Sequence, residues 1–122
     1  MPTINKPKKK SKPLNEDIAR KKRMEVYNKT LWKRLTNLKR QENPLCEVCL
    51  MQGIIRPSLH THHLISFVSG NNDAERDCLA FDYDNLISLC PECHNRLHHS
   101  DLRGCTTKEA IKRKLEEIKL KV

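Results

Sequence analysis

The chain has 122 residues, of which 37% are apolar, 4% aromatic and 32% charged, with a formal net charge of +9. So little apolar side chain excludes two independent cores and leaves one small core in need of a metal or disulfide staple. The opening MPTINKPKKKSKP reads as neither a secretory leader nor a membrane span. Together with the excess of basic residues, it points to a reducing cytoplasm and a polyanionic partner, nucleic acid first.

In chain order, residues 1–14 mix lysines with three prolines and are expected to be a disordered basic arm. Residues 15–43 read as a basic helical region. Asn15 is a cap, Glu16 and Asp17 stand in the first turn, and Tyr27, Leu31, Leu35 and Leu38 recur at helical spacing. A break near Asn28–Thr30 would divide this region into two helices, and Asn43-Pro44 ends it. Trp32 sits beside the apolar stripe and is expected to anchor its helix on the core. Residues 44–105 hold every cysteine and histidine. Here Gly53 supports a turn, Ile54-Ile55 and Leu59–Ile65 read as short strands, and residues 69–73 form a loop. Leu86–Leu89 is a second strand, and Pro91 suits the first turn of a helix carrying residues 92–99. In the last segment, 106–122, Thr106 and Glu109 make a capping box, and Ile111, Leu115 and Ile118 share one helix face.

Cys46-x-x-Cys49 and Cys90-x-x-Cys93 supply four thiolates in two pairs. Two sulfurs of one tight turn reach the same ion, so two such turns close a tetrahedral shell, and structural zinc is expected. Residues 50–89 separate the pairs, a longer stretch than a simple zinc ribbon carries. The two remaining cysteines, Cys78 and Cys105, read as small buried hydrophobes without chemistry.

All six histidines lie in LHTHHLI and CPECHNRLHH. His94 and His98 stand four apart, on one helix face, a spacing that suits two imidazoles on a common metal. A third imidazole from LHTHHLI would make a site with open positions, as in catalytic rather than structural centres.

The order Cys-x-x-Cys, HHLI, DNLISLCPECHNRLH resembles the HNH endonucleases, and the preceding YNKTLWKRL…NPLCEVC is similar to the phage-type members. The resemblance covers residues 26–99. It implies an α+β architecture: a small ββα-metal core stapled by the four-cysteine zinc site and flanked by the basic N-terminal helix and a C-terminal helix. It also implies that His63 is the general base on water, that Asn85 holds the loop and orients that base, and that His62, His94 and His98 ligate one catalytic divalent ion. Three imidazoles are softer ligands than carboxylates, so Mn²⁺, Ni²⁺, Co²⁺ or Zn²⁺ should serve better than Mg²⁺. Neighbours on a strand face opposite ways, so His62 and His63 flank one phosphate only where the strand bends or ends. The alternative ligand pair is His60 with His62; otherwise His60 lies behind the ligands or on the surface. His99 reads as solvent-facing.

The activity so implied is hydrolysis of DNA phosphodiester bonds, by nicking or double-strand cutting. The expected partner is double-stranded DNA, held by the basic arm and helix with low sequence specificity. Some relatives of the phage type work with viral packaging proteins, which the resemblance adds as partners. Two alternatives are an RNA-cleaving member of the same architecture and a zinc-stabilised nucleic-acid-binding module without catalysis. The latter leaves the histidine pattern unexplained.

Overall fold

The computed structural model describes residues 14–120, so nearly all of the expected arm lies outside the described residues. The elements run α1 Glu16–Tyr27, α2 Thr30–Glu42, α3 Glu47–Met51, β1 His60–His63, α4 Asp73–Ala80, β2 Leu86–Leu89, α5 Pro91–His99 and α6 Lys108–Leu120, with single 3-10 turns at Phe67–Ser69 and Tyr83–Asn85. This is the expected mixture of helices around a two-stranded antiparallel sheet. Among the described residues, no helix is long and apolar enough to cross a membrane.

Local chemistry accounts for most boundaries. The Asn15 side chain accepts the Asp17 amide (2.8 Å) at the head of α1, and the helical region does divide, with Asn28 and Lys29 between α1 and α2. The thiols of Cys46 and Cys90 act as N-caps, accepting the amides of Cys49 and Cys93. Each Cys-x-x-Cys knuckle is therefore also a helix start. Gly53 closes the first knuckle with a φ of 75°, which a side chain would strain. At Gly70 the constraint is space, because a Cβ there would lie 2.8 Å from the Arg76 backbone nitrogen.

Several sequence expectations shift. Ile54-Ile55 form no strand; the chain there makes only one isolated bridge, Leu45 to Pro57, since proline has no N–H with which to continue a ladder. Helix α4 occupies a stretch without a predicted element. Its cue is Asn72 three residues before Glu75, whose amide the Asn72 side chain accepts. The cap of α6 is Thr107, which accepts the Ala110 amide, one residue later than expected. Cys78 is exposed rather than buried, and Cys105 is half-buried.

The apolar stripe of α2 is also rotated. Leu31 and Leu38 are almost half exposed, while Trp32, Leu35, Thr36 and Lys39 face inward at positions i, i+3, i+4 and i+7. Lys39 sits there because its stem is apolar and its ammonium meets an acid. That acid is Glu47, whose carboxylate binds Lys39 (2.9 Å) and Lys108 (2.9 Å) and accepts the Ser88 amide (2.8 Å). One carboxylate thus joins α2, α3, β2 and α6. Lys22 plays a similar part between α1 and α4, with Asp77 at 2.8 Å and Asp73 at 3.2 Å. Burial disfavours the Lys22 charge, but its carboxylate partners more than offset this and hold the ammonium above the ordinary lysine value.

The core has two parts. One surrounds the cysteines, with Val48, Leu64, Ile87, Leu89, Leu97, Leu102 and Ile111; Leu115 and Ile118 of α6 pack on it as their spacing implied. The other, of Val26, Phe67 and Ala80, lies under α1. Strand β2 is buried along its whole length. It pairs with β1 in the register His60–Leu89, Thr61–Ser88, His62–Ile87, His63–Leu86, so the histidine-rich strand is carried on an apolar one.

Burial alone would raise the Glu47 carboxyl, but Lys39, the Ser88 amide and Lys108 hold it below the ordinary carboxylate value. Its contribution is complete above the unfolded value and is lost as pH falls through the depressed folded one. Glu47→Gln leaves Lys39 buried without an anion and is expected to cost about 3 kcal/mol at neutral pH in urea unfolding. The double variant with Lys39→Met should recover part of that loss, and no recovery would show that the pair is not the source.

Candidate metal centre and general base

The four cysteines of the two knuckles are free and buried. The Cys49 sulfur stands 3.8 Å from that of Cys90 and 3.7 Å from that of Cys93. A tetrahedron with metal–sulfur bonds of about 2.3 Å has edges of about 3.8 Å, so this spacing fits a single thiolate-bound ion. Burial and mutual repulsion oppose ionisation of the cluster as a whole. Burial pushes Cys49 up to about 11 and Cys93 further up. Burial opposes ionisation of Cys90 too, yet the Cys93 amide and the neighbouring thiols bring it down to about 7. A bound cation removes this conflict by favouring all four thiolates at once.

The second cluster is made of imidazoles. His62 projects from β1 toward α5, where His94 and His98 stand one turn apart. Ring centroids are 5.4 Å from His62 to His94, 4.8 Å from His62 to His98 and 4.6 Å from His94 to His98. One ligand nitrogen from each lies within 4.8 Å of the others, so modest side-chain rotations bring all three onto one ion. His60 is not in this set. It is exposed and stacks on the outer face of His94 at 4.5 Å. His99 is exposed, as its position implied.

For His62 and His94 the surroundings favour the neutral form, the one that can bind a metal. Burial, then the neighbouring His98, His94 and His63, push His62 down to about 4. Burial, then His98, His60 and His99, lower His94 as well.

His63 takes a different environment because it points to the other side of the strand. It is buried, its Nε2 lies 3.0 Å from the Ala80 carbonyl oxygen, its ring face stacks on Trp32 (4.8 Å, 19°), and Phe67 meets it edge-on (4.9 Å, 64°). A carbonyl only accepts, so in the neutral ring Nε2 carries the proton and Nδ1 keeps its lone pair. Burial lowers the His63 value, and the Ala80 contact works against this. Strand β1 ends at His63, and the chain then turns through Leu64 and Ile65. In consequence His62, His63, His94 and His98 all line one cavity of about 270 Å³, together with Arg23 and Tyr27 from α1.

Asn85 makes no hydrogen bond to the imidazole. Its side chain accepts the Ile65 amide (2.9 Å) and donates to the carbonyls of Ile65 (2.9 Å) and Leu79 (3.0 Å), while its own carbonyl takes the Leu64 amide (2.8 Å). It clamps the turn after His63 to the end of α4, whose Ala80 carbonyl holds the ring. The residues that touch His63 directly, Trp32, Phe67 and Ala80, are not identifiable as its neighbours from sequence, since each comes from a different element.

An HNH endonuclease family model matches residues 46–100. This segment is an HNH endonuclease domain. The HNH endonuclease of the deep-sea thermophilic bacteriophage GVE2, crystallised with a manganese ion, is similar in structure. Its TM-score is 0.54 at 27% identity, over 66% of this chain and 83% of that one. The Type IV methyl-directed restriction enzyme EcoKMcrA of Escherichia coli K12 is 36% identical over 67 residues, which are 49% of this chain and 21% of the enzyme. The chain thus spans about a fifth of that relative's length. The HNH match begins at the first knuckle and ends just after α5, so α1, α2 and α6 lie outside it, although α1 contributes Arg23 and Tyr27 to the cavity and α2 contributes Trp32 to His63.

Two outcomes are expected. Cys46→Ser should lose its bound metal and its cooperative unfolding transition together, followed by metal content and circular dichroism, because a structural site contributes folding energy. For His62 the folded value lies below the ordinary one near 6.5, so the unfolded chain binds more protons between them and stability falls as pH drops toward 4. With metal absent from the histidines, the urea midpoint should decline from pH 7 to pH 5, and less steeply in His62→Gln. Equal slopes would mean that His62 is not buried in the neutral form.

Proposed function

We propose that this chain is a metal-dependent endonuclease that hydrolyses phosphodiester bonds of double-stranded DNA. The observation that carries the reading is the sharing of one cavity by two kinds of histidine. Three of them bring one nitrogen each within 4.8 Å of the others, as metal ligands would, and the fourth, His63, has its Nε2 on the Ala80 carbonyl, which leaves Nδ1 its lone pair. The four cysteines hold zinc as a structural ion, in keeping with a closed set of sulfur ligands.

His62, His94 and His98 would hold a divalent cation, which would supply positive charge where negative charge develops on the phosphoryl group. His63 takes the proton of the attacking water on Nδ1, while the Ala80 carbonyl keeps Nε2–H in place and so fixes which nitrogen faces the cavity. Asn85 keeps the loop and the carbonyl in register with each other. Arg23 brings a guanidinium to the cavity wall, where it can hold a phosphate oxygen. The exposed Arg20, Lys21, Lys29, Lys33, Arg34 and Arg40 of the helical pair and its connection extend the positive surface along the backbone on either side. These contacts position DNA without reading base edges, which supports low sequence specificity. The ligand set contains no carboxylate, which favours Mn²⁺, Co²⁺ or Ni²⁺ over Mg²⁺.

Purified protein with Mn²⁺ is expected to convert supercoiled plasmid to relaxed and then linear forms, faster than with Mg²⁺. His63→Ala should lower the rate by roughly 10²- to 10⁴-fold with an unchanged melting temperature. Wild-type protein that retards plasmid in a gel yet leaves it uncut with every one of these metals would instead support the non-catalytic binding module.

A further inference from the structure

We propose that Trp32 is a positioning residue for the general base: its indole is the plate that fixes the plane of the His63 ring, so that Nδ1 faces the phosphate cavity. This rests on the endonuclease reading and deepens it, because it makes α2, which lies outside the matched segment, part of the reaction machinery.

Trp32 and His63 come from segments 31 residues apart, and their rings lie nearly parallel, 4.8 Å between centroids and 19° between planes. The other contacts leave one freedom unconstrained. The Ala80 carbonyl ties Nε2 at 3.0 Å, but a ring held at one nitrogen still rocks about the line from that nitrogen to its Cβ. Phe67 meets the imidazole at 64°, so it does not lie flat against the ring. The indole, which covers a face, stops the rocking. Trp32 is itself held by Tyr27, at 5.4 Å and 45°, and Tyr27 in turn meets Phe67 at 5.9 Å and 85°. His63 therefore sits in an aromatic cage contributed by α1, α2 and the turn after β1. A tryptophan serving only to anchor its helix would need apolar partners. This one stacks on the imidazole proposed as the general base, while the aliphatic stripe beside it, Leu31 and Leu38, is almost half exposed.

Proton transfer is sensitive to this geometry, and misplacing a reacting group by about 1 Å costs on the order of 10²-fold in rate. The test compares Trp32→Leu, Trp32→Phe and Leu35→Ala in Mn²⁺-supported plasmid cleavage, with melting temperatures measured alongside. Trp32→Leu should lower kcat roughly 10- to 100-fold, with KM for DNA and half-saturating Mn²⁺ unchanged. Trp32→Phe, which keeps a flat ring, should restore most of the activity. Leu35→Ala truncates the same helix face and should lower the melting temperature without lowering kcat. An independent readout is the NMR spectrum: the ring protons of His63 should lie upfield through the indole ring current. They should move part of the way back to ordinary positions in Trp32→Phe and the whole way in Trp32→Leu. If Trp32→Leu fails to fold, Trp32→Phe and the wild-type shifts decide. Ordinary His63 shifts in the wild type, undiminished kcat in a folded Trp32→Leu, or an equal fall in Leu35→Ala would each overturn the positioning role. Wild-type protein that cuts no DNA with any of the metals removes the endonuclease reading and this role with it, whereas active wild type with an unimpaired Trp32→Leu removes this role alone.

Discussion

The geometry of this domain depends on the closure of the four-cysteine cluster. Two short knuckles, far apart in sequence, are brought to sulfur–sulfur distances of 3.7–3.8 Å, and each knuckle is the first turn of a helix. Closing the cluster therefore sets the start of α5 against α3 and holds the ends of the intervening insert. With β2 leading directly into Cys90 and β1 paired on β2, the position of His62 over α5 follows from that closure. A thin core could not impose this alone. The residues packed around the sulfurs are few, and an ion bound by the four cysteines would supply what apolar burial lacks.

The division between the two adjacent histidines comes from the pleat. Consecutive side chains on β1 face opposite ways, so His62 looks toward α5 and His63 toward the aromatic residues and the end of α4. The strand stops at His63, and that is why both still border one cavity. Burial lowers the pKa of both, and under the proposed function the two imidazoles would serve different ends: one would offer a lone pair to a cation, and the other to a proton.

The basic residues of the N-terminal helices serve two purposes. Most of those on α1 and α2 are exposed and suit a polyanion, but Lys22 and Lys39 are buried against carboxylates. These two hold the N-terminal helices onto the domain, Lys22 through α4 and Lys39 through Glu47. The same helices deliver Arg23, Tyr27 and Trp32 to the cavity and its base. Removing a carboxylate partner would thus affect the site through the seating of the helices, without touching a ligand.

The residue types and spacings already carry the metal chemistry. Cys-x-x-Cys pairs, the i, i+4 histidines on a helix opened by proline, the HHLI strand and the capping of α1 are all local patterns, and local patterns are legible because they depend on neighbours in the chain. The orientation of α2 is not legible in this way. Its apolar stripe suggests one inward face, and the structure turns the helix to bury Lys39 and half-bury Trp32, since the partner that makes a buried lysine acceptable, Glu47, belongs to another helix. Asn85 holds the loop as expected but bonds only backbone, at Leu64, Ile65 and Leu79, and it is the Ala80 carbonyl, from a helix whose only cue was the Asn72 cap, that meets the His63 imidazole. Sequence by itself determined which side chains have the chemistry to bind metal or exchange protons, the six histidines and the two Cys-x-x-Cys pairs. Tertiary structure decided which of them share a cavity and which nitrogen of His63 meets the Ala80 carbonyl, because those depend on long-range packing and hydrogen bonds between segments that no spacing along the chain encodes.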